Sequence, residues 1–268
     1  MITDYGRAVK NIRQELRTYI KANGIKSLVM GISGGIDSAL CCALAKPVCD
    51  ELKIPLIGRS ITIETNKEDE ISRAEEIGDN LCTDFKEVDL GNGFNEFTTL
   101  HMHNLYDSLD IGNRIRLGNV KARMRMIFLY DLAQANGGLV LSTDNYTEYL
   151  CGFWTICGDV GDLSPIQHLW KTEVYNMSRY IAEKENISNE ASDALMKCVE
   201  ANPTDGLGVS NSDLDQLGVN SYEEADQIFL DYLGGDMKNE NHVLIQRYKR
   251  THFKRNHPYE ISRKIILE

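Results

Sequence analysis

Gly31-Ile32-Ser33-Gly34-Gly35-Ile36-Asp37-Ser38 stands between the apolar run Ser27-Leu28-Val29-Met30 and the apolar stretch Ala39-Leu40-Cys41-Cys42-Ala43-Leu44. The pattern predicts a buried strand, a glycine-rich turn and the first turns of a helix. A tight glycine turn frees backbone N–H groups at the positive end of a helix dipole, and such groups bind phosphate. Ser33 and Ser38 add hydroxyl donors. Asp37 adds a carboxylate able to hold Mg²⁺ between protein and polyphosphate. The turn lacks the G-K-[ST] ending of the common nucleotide loop, so no lysine sits within it.

Working outward, Val9, Ile12, Leu16, Tyr19 and Ile20 recur at helical spacing over 4–22, with Gly24 as the stop. A first strand at 26–32 leads through the turn into a helix running to about Pro47. Residues 55–63, rich in apolar and β-branched side chains, read as a second strand. Ile71, Ala74, Ile77 and Leu81 share one face of a helix over 68–81. A short strand at 87–90 precedes helices at 95–109 and 113–135, and 138–142 is another buried strand. Strands alternating with helices predict an α/β fold, a doubly wound parallel sheet flanked by helices on both faces. Ligands of such sheets sit beyond the carboxyl ends of the strands, where both Ser33–Ser38 and Thr143-Asp144 fall.

After residue 163 the strand signal fades and helices are expected at 171–184, 222–233 and 240–249. The stretch 201–221, rich in Gly, Ser, Asn and Asp, reads as a mobile loop with little core of its own. A basic tail, 249–258, follows. No repeat or boundary divides 1–268, so one domain is expected.

The 268 residues, 42% hydrophobic, suffice for a sizeable α/β core. A net charge of −11 disfavours a broad nucleic-acid surface but leaves room for an anionic small substrate. None of the seven cysteines forms C-x-x-C, which argues against a zinc ribbon or thiol-redox pair and for a reduced, cytoplasmic setting. Cys151 and Cys157 flank the region assigned function below and admit a catalytic thiol. No apolar run approaches the ~20 residues of a membrane span, and the start lacks a secretory pattern.

The S-G-G-x-D-S turn resembles the pyrophosphate loop of the ATP pyrophosphatase superfamily, and three further segments narrow the likeness. Gly118-Asn119-Val120-Lys121-Ala122-Arg123-Met124-Arg125-Met126, Ser142-Thr143-Asp144-Asn145-Tyr146-Thr147-Glu148 and Gly158-Asp159-Val160-Gly161-Asp162-Leu163-Ser164-Pro165 resemble ammonia-dependent NAD synthetase. The likeness continues through Lys171, Asn202-Pro203-Thr204 and the tail. It implies a Rossmann-like ATP pyrophosphatase fold and amidation of deamido-NAD by ammonia, with ATP split to AMP and pyrophosphate through an acyl-adenylate. The alternative is another ATP pyrophosphatase, such as a tRNA-thiolating or GMP-forming enzyme.

By resemblance, Gly31, Ile32, Ser33, Gly34, Gly35, Ile36, Asp37, Ser38, Thr143, Lys171 and Thr204 bind ATP, and Asp37 and Glu148 hold Mg²⁺. Lys171 is read as facing phosphate, since a lysine at a helix start opposes the dipole. Deamido-NAD falls to Arg123, Ile156, Asp162, Phe253 and Lys254, and Asp159 to deprotonation of ammonium. The loop 201–221 would close as a lid. The partners implied are ATP, deamido-NAD, ammonia and a second copy of the chain, with no nucleic acid or membrane. Three departures from the family pattern stand out: Ile156 in place of a lysine, a 158–162 segment one residue short, and Phe253 where a histidine is usual. An apparent insertion near 184–197 is expected to be surface decoration.

Overall fold

The computed structural model describes residues 1–64, 67–101, 110–202 and 213–267. Four parallel strands, β1 (Leu28–Gly31), β2 (Leu56–Thr62), β3 (Asp84–Asp89) and β4 (Leu139–Val140), lie in the order β3-β2-β1-β4. The chain enters by α1 (Tyr5–Asn23) and connects the strands through α2 (Ile36–Leu52), α3 (Glu68–Leu81), α4 (Gly91–His101) and α5 (Ile111–Ala135). Leu28 pairs with Leu56 on one side and Leu139 on the other, so β1 is central.

Side chains alternate across a strand, and β1 uses both faces. Leu28, Met30 and Ile32 enter the larger core with α1, α2 and α3, whereas Val29 joins Ile57, Val140, Met126 and Leu129 beneath α5. The expected doubly wound α/β arrangement is therefore present. From β1 the chain winds outward to β2 and β3, then returns to lay β4 on the other side of β1. That reversal opens a crevice beyond the carboxyl ends of β1 and β4.

Helix α2 continues past the expected stop at Pro47 to Leu52. A proline inside a helix leaves the carbonyl four residues back without its N–H. Here that carbonyl belongs to Ala43 and accepts instead from Arg13 Nη2 at 3.0 Å. The same guanidinium forms a bidentate pair with Glu185, at 2.8 and 2.6 Å. A donor supplied from α1 thus carries the helix through its break.

Beyond β4 come α6 (Tyr146–Cys151), α7 (Lys171–Lys184), α8 (Asn189–Glu200), α9 (Asp213–Leu217), α10 (Tyr222–Leu233), a 3₁₀ turn (Met237–Asn239), α11 (Val243–Arg250), α12 (His252–Arg255) and α13 (Arg263–Leu267). Two expectations need correction. The stretch near 184–197 is no surface decoration: α8, capped by Ser188, buries Ala191, Ala194, Leu195, Cys198 and Val199 in the main core. Nor does the described end of 201–221 lack a core, since α9 forms there and Leu217 and Val219 pack with Tyr222, Phe229 and Leu150. The lid expected of this stretch involves 203–212, outside the described residues.

Candidate active site

The turn after β1 is held by its own side chains. Ser33 Oγ accepts from Gly35 N–H at 3.2 Å, and Ser38 Oγ accepts from Ser33 N–H at 3.3 Å and donates to the Gly35 carbonyl at 3.0 Å. Gly34 has φ +76°, and a Cβ there would run into the Glu70 carbonyl oxygen. Glycine is therefore required on both counts. No side chain caps α2 at Gly35, so its first N–H groups face the crevice with the positive end of the dipole.

Asp37, in the first turn of α2, meets residues from two other elements. Its Oδ1 accepts from Asn145 Nδ2 at 2.8 Å and its Oδ2 from Lys171 Nζ at 2.5 Å. Lys171 Nζ also donates to Glu148 Oε1 at 3.1 Å. Lys171 is 4% exposed. Burial pulls its pKa down, but Asp37 and Glu148 outweigh that and hold it well above the ordinary lysine value. Burial pushes Glu148 up to about 7, opposed by Lys171 and reinforced by Asp37. The reading of Lys171 as a lysine awaiting phosphate thus needs amending: in this structure two carboxylates offset the dipole.

Asn145 was not legible as a site residue, although its signal was present. Asn145-x-x-Glu148 is a capping box: Asn145 Oδ1 accepts from Glu148 N–H at 3.0 Å, and Glu148 Oε2 accepts from Asn145 N–H at 3.3 Å. One amide both starts α6 and holds Asp37. Thr143, half-buried, lies in the same connection between β4 and α6. Asp144, also unassigned by sequence, has its pKa raised well above the carboxylate range, by burial first and then by Glu148 and Asp159.

A second group lies along 152–162. Asp159 Oδ2 accepts from Thr155 N–H at 2.5 Å, and burial raises its pKa against that bond and against Arg125 and Lys254. Arg123 Nε donates to the Ile156 carbonyl at 3.2 Å, bringing two expected dinucleotide residues together. Asp162 is tied elsewhere: its oxygens accept from Val140 N–H at 2.9 Å and Tyr130 Oη at 3.1 Å. Cys151 is fully buried with its thiol pushed up by burial, so it offers no nucleophile.

The basic tail turns inward. Lys254 Nζ donates to the carbonyls of Gly152, at 2.7 Å, and Trp154. Arg255 Nη1 donates to the Leu150 carbonyl at 2.9 Å, and Arg247 Nε to that of Cys151 at 2.9 Å. Backbone N–H groups of Gly152 and Phe153 satisfy the Glu148 and Tyr149 carbonyls, Arg255 and Arg247 complete the last two carbonyls of α6, and Lys254 holds the segment just beyond it. Phe253, 62% exposed, takes no part. Thr204 lies outside the described residues.

Among the described residues no group of three or more His, Cys, Asp or Glu is arranged to hold a metal. The Asp37 and Glu148 oxygens nonetheless converge on one positive charge, and two protein oxygens completed by phosphate and water satisfy Mg²⁺.

A family model described as NAD synthase matches residues 8–258. The NH(3)-dependent NAD(+) synthetase of Thermoplasma acidophilum is 30% identical over 265 residues, covering 97% of this chain and 99% of its own. Among solved structures, the NMN synthetase of Francisella tularensis superposes with a TM-score of 0.76 at 23% identity, over 97% of this chain and 98% of that one. The NH3-dependent NAD synthetase of Campylobacter jejuni gives 0.73 at 23% identity, over 97% and 100%. These superpositions show that the fold, a parallel sheet flanked by helices, is shared over nearly the whole chain. The tRNA-thiolating and GMP-forming alternatives lose their ground, because the family match runs through the glycine turn, α6, α7 and most of the tail. The chain belongs to the NAD synthase family.

Proposed function

We propose that this protein is a ligase that amidates deamido-NAD with ammonia, forming NAD, AMP and pyrophosphate. The observation that carries the proposal is the meeting of Asp37, Glu148 and Lys171 where the glycine turn of β1 faces the β4–α6 connection. The turn Gly31–Ser38, the N-terminus of α2 and Thr143 bind the ATP phosphates, a role that the resemblance also gives to Thr204. Asp37 and Glu148 hold Mg²⁺, which when bound supplies positive charge to the polyphosphate. Lys171 then exchanges a carboxylate for a phosphate oxygen as charge builds on the leaving pyrophosphate.

Arg123, which meets Ile156, anchors the dinucleotide side of the site, and the family resemblance adds Asp162, Phe253 and Lys254 to it. A carboxylate oxygen of deamido-NAD attacks the α-phosphorus and pyrophosphate leaves. Ammonia then attacks the carbonyl carbon of the acyl-adenylate and AMP leaves. Asp159 takes the proton from ammonium, and its burial supports this because a raised pKa makes a stronger base.

We further propose that the protein works as a homodimer in the cytoplasm. Phe97, Leu100, Ile111, Ile115 and Ile127 form an exposed apolar series on α4 and α5, which suits a second copy. All seven cysteines are unpaired, which suits a reducing compartment.

Incubation with ATP, Mg²⁺, deamido-NAD and ammonium tests the reaction. AMP and pyrophosphate should appear in step with NAD. ADP and orthophosphate in their place would defeat the assignment.

A further inference from the structure

Asp226 stands outside the residues assigned above, yet its side chain lies directly behind two of them. It sits on α10, is 1% exposed, and its carboxylate accepts three hydrogen bonds. Thr147 Oγ1 donates to Oδ1 at 2.5 Å, while Thr172 Oγ1 and Thr172 N–H donate to Oδ2 at 2.8 and 3.0 Å. Thr147 precedes Glu148 on α6, and Thr172 follows Lys171 on α7. The circuit closes through Thr147 Oγ1, which accepts from Lys171 N–H at 2.9 Å. Every proton in the circuit has one direction, because the Thr147 hydroxyl that accepts from Lys171 must donate to Asp226.

Burying a carboxylate is costly unless it is hydrogen-bonded. Burial raises the Asp226 pKa, and its bonds to Thr147 and Thr172 oppose the rise. The N-terminus of α7 adds its dipole in favour of the negative charge. A well-packed apolar residue would occupy this position at no such cost, so the carboxylate points to a requirement beyond packing.

We propose that Asp226 is a positioning residue for the reaction: by bridging Thr147 and Thr172 it sets the separation of Glu148 from Lys171. A single backbone bond, Tyr146 N–H to the Leu169 carbonyl at 2.8 Å, joins the start of α6 to the approach to α7, and the Asp226 bridge adds a second tie at the residues adjoining Glu148 and Lys171. Their shared polar link through α10 determines whether the carboxylate and ammonium reach the same phosphate-binding point. An error of about 1 Å in such a placement costs on the order of a hundredfold in rate. The inference rests on the reading of Asp37, Glu148 and Lys171 as nucleotide-binding groups.

Asp226→Asn tests it, since the variant keeps the shape but puts a donor where one of two hydroxyl donors points. We expect cooperative unfolding to persist. Binding of a non-hydrolysable ATP analogue with Mg²⁺, read by calorimetry, should weaken about tenfold, as loss of one charge-assisted bond implies. The kcat should fall at least as far, with KM for the dinucleotide within about twofold of wild type. Thr147→Val should reproduce these losses and Thr147→Ser, which keeps the hydroxyl, should restore wild-type behaviour; this pair decides the matter if Asp226→Asn does not fold. Unchanged analogue affinity and kcat in folded Asp226→Asn or Thr147→Val would overturn the proposal, whatever the shift in Tm. A wild-type chain that forms no AMP would instead overturn the reading on which it rests.

Discussion

Glu148 bears on three things at once: the start of α6, the Lys171 ion pair and the proposed metal. Its pKa, about 7 in the folded chain, stands above the ordinary carboxylate value because burial disfavours its charge. The folded protein therefore holds a proton that the unfolded chain has released. The resulting stabilisation is present below the unfolded value and is lost as pH rises through about 7. Chemical denaturation of the ligand-free protein should show this loss between pH 5 and 7, and Glu148→Gln should remove most of it. An identical pH dependence in the two proteins would mean that Glu148 titrates normally. The same substitution should abolish amidation while leaving the chain folded.

Most of this residue set was visible before the fold because the chemistry is concentrated in short local motifs. A strand, two glycines and an aspartate define the first turn, and nothing distant is needed to read them. Asn145, Asp144 and Asp226 were missed for the opposite reason. Their importance comes from what the fold brings to them: Asn145 meets Asp37 across 108 positions, Asp226 meets Thr147 across 79, and Asp144 is buried beside Glu148 and Asp159. Asp226 is further obscured by its neighbours, where an acidic residue at 223, 224 or 226 reads alike on an exposed helix face.

At the scale of elements, helices with one apolar stripe were read closely: α3, α7 and α10 begin and end where their periodicity does. Helix α8 was passed over because its small core residues, Ala191, Ala194 and Cys198, carry weak hydrophobic signals despite complete burial. Pro47 misplaced the end of α2 because the compensating donor lies on another helix. That compensation is testable. Arg13→Leu should destabilise the protein by about 2–3 kcal/mol, losing charge-assisted bonds and leaving the Ala43 carbonyl and Glu185 unpartnered. Pro47→Ala restores the internal N–H for Ala43, so part of that cost should vanish in the double variant. Strictly additive losses, measured by denaturant unfolding, would show that Arg13 and Pro47 act independently.

At the scale of the whole molecule, the exposed apolar residues of α4 and α5 are a feature that composition could not locate. They fall on helices otherwise patterned for a core, and only the fold shows that Ile111, Ile115 and Ile127 point away from it. Ile115→Asp should convert the proposed dimer to monomer in analytical ultracentrifugation. An unchanged sedimentation coefficient, or a wild-type protein already monomeric, would remove this face as the interface.

The cations that close α6 have a consequence for the protein as it is made. Arg255 reaches back 105 positions to the Leu150 carbonyl, and Arg247 reaches back 96 to that of Cys151. On the ribosome, the glycine turn, Glu148 and Lys171 all emerge well before the groups that finish the helix carrying Glu148. For that interval the nascent chain holds the glycine turn while the Leu150 and Cys151 carbonyls of α6 still lack their guanidinium donors. A chain cut short before Arg247 carries the glycine turn, Glu148 and Lys171 without the two guanidinium groups that meet the last carbonyls of α6.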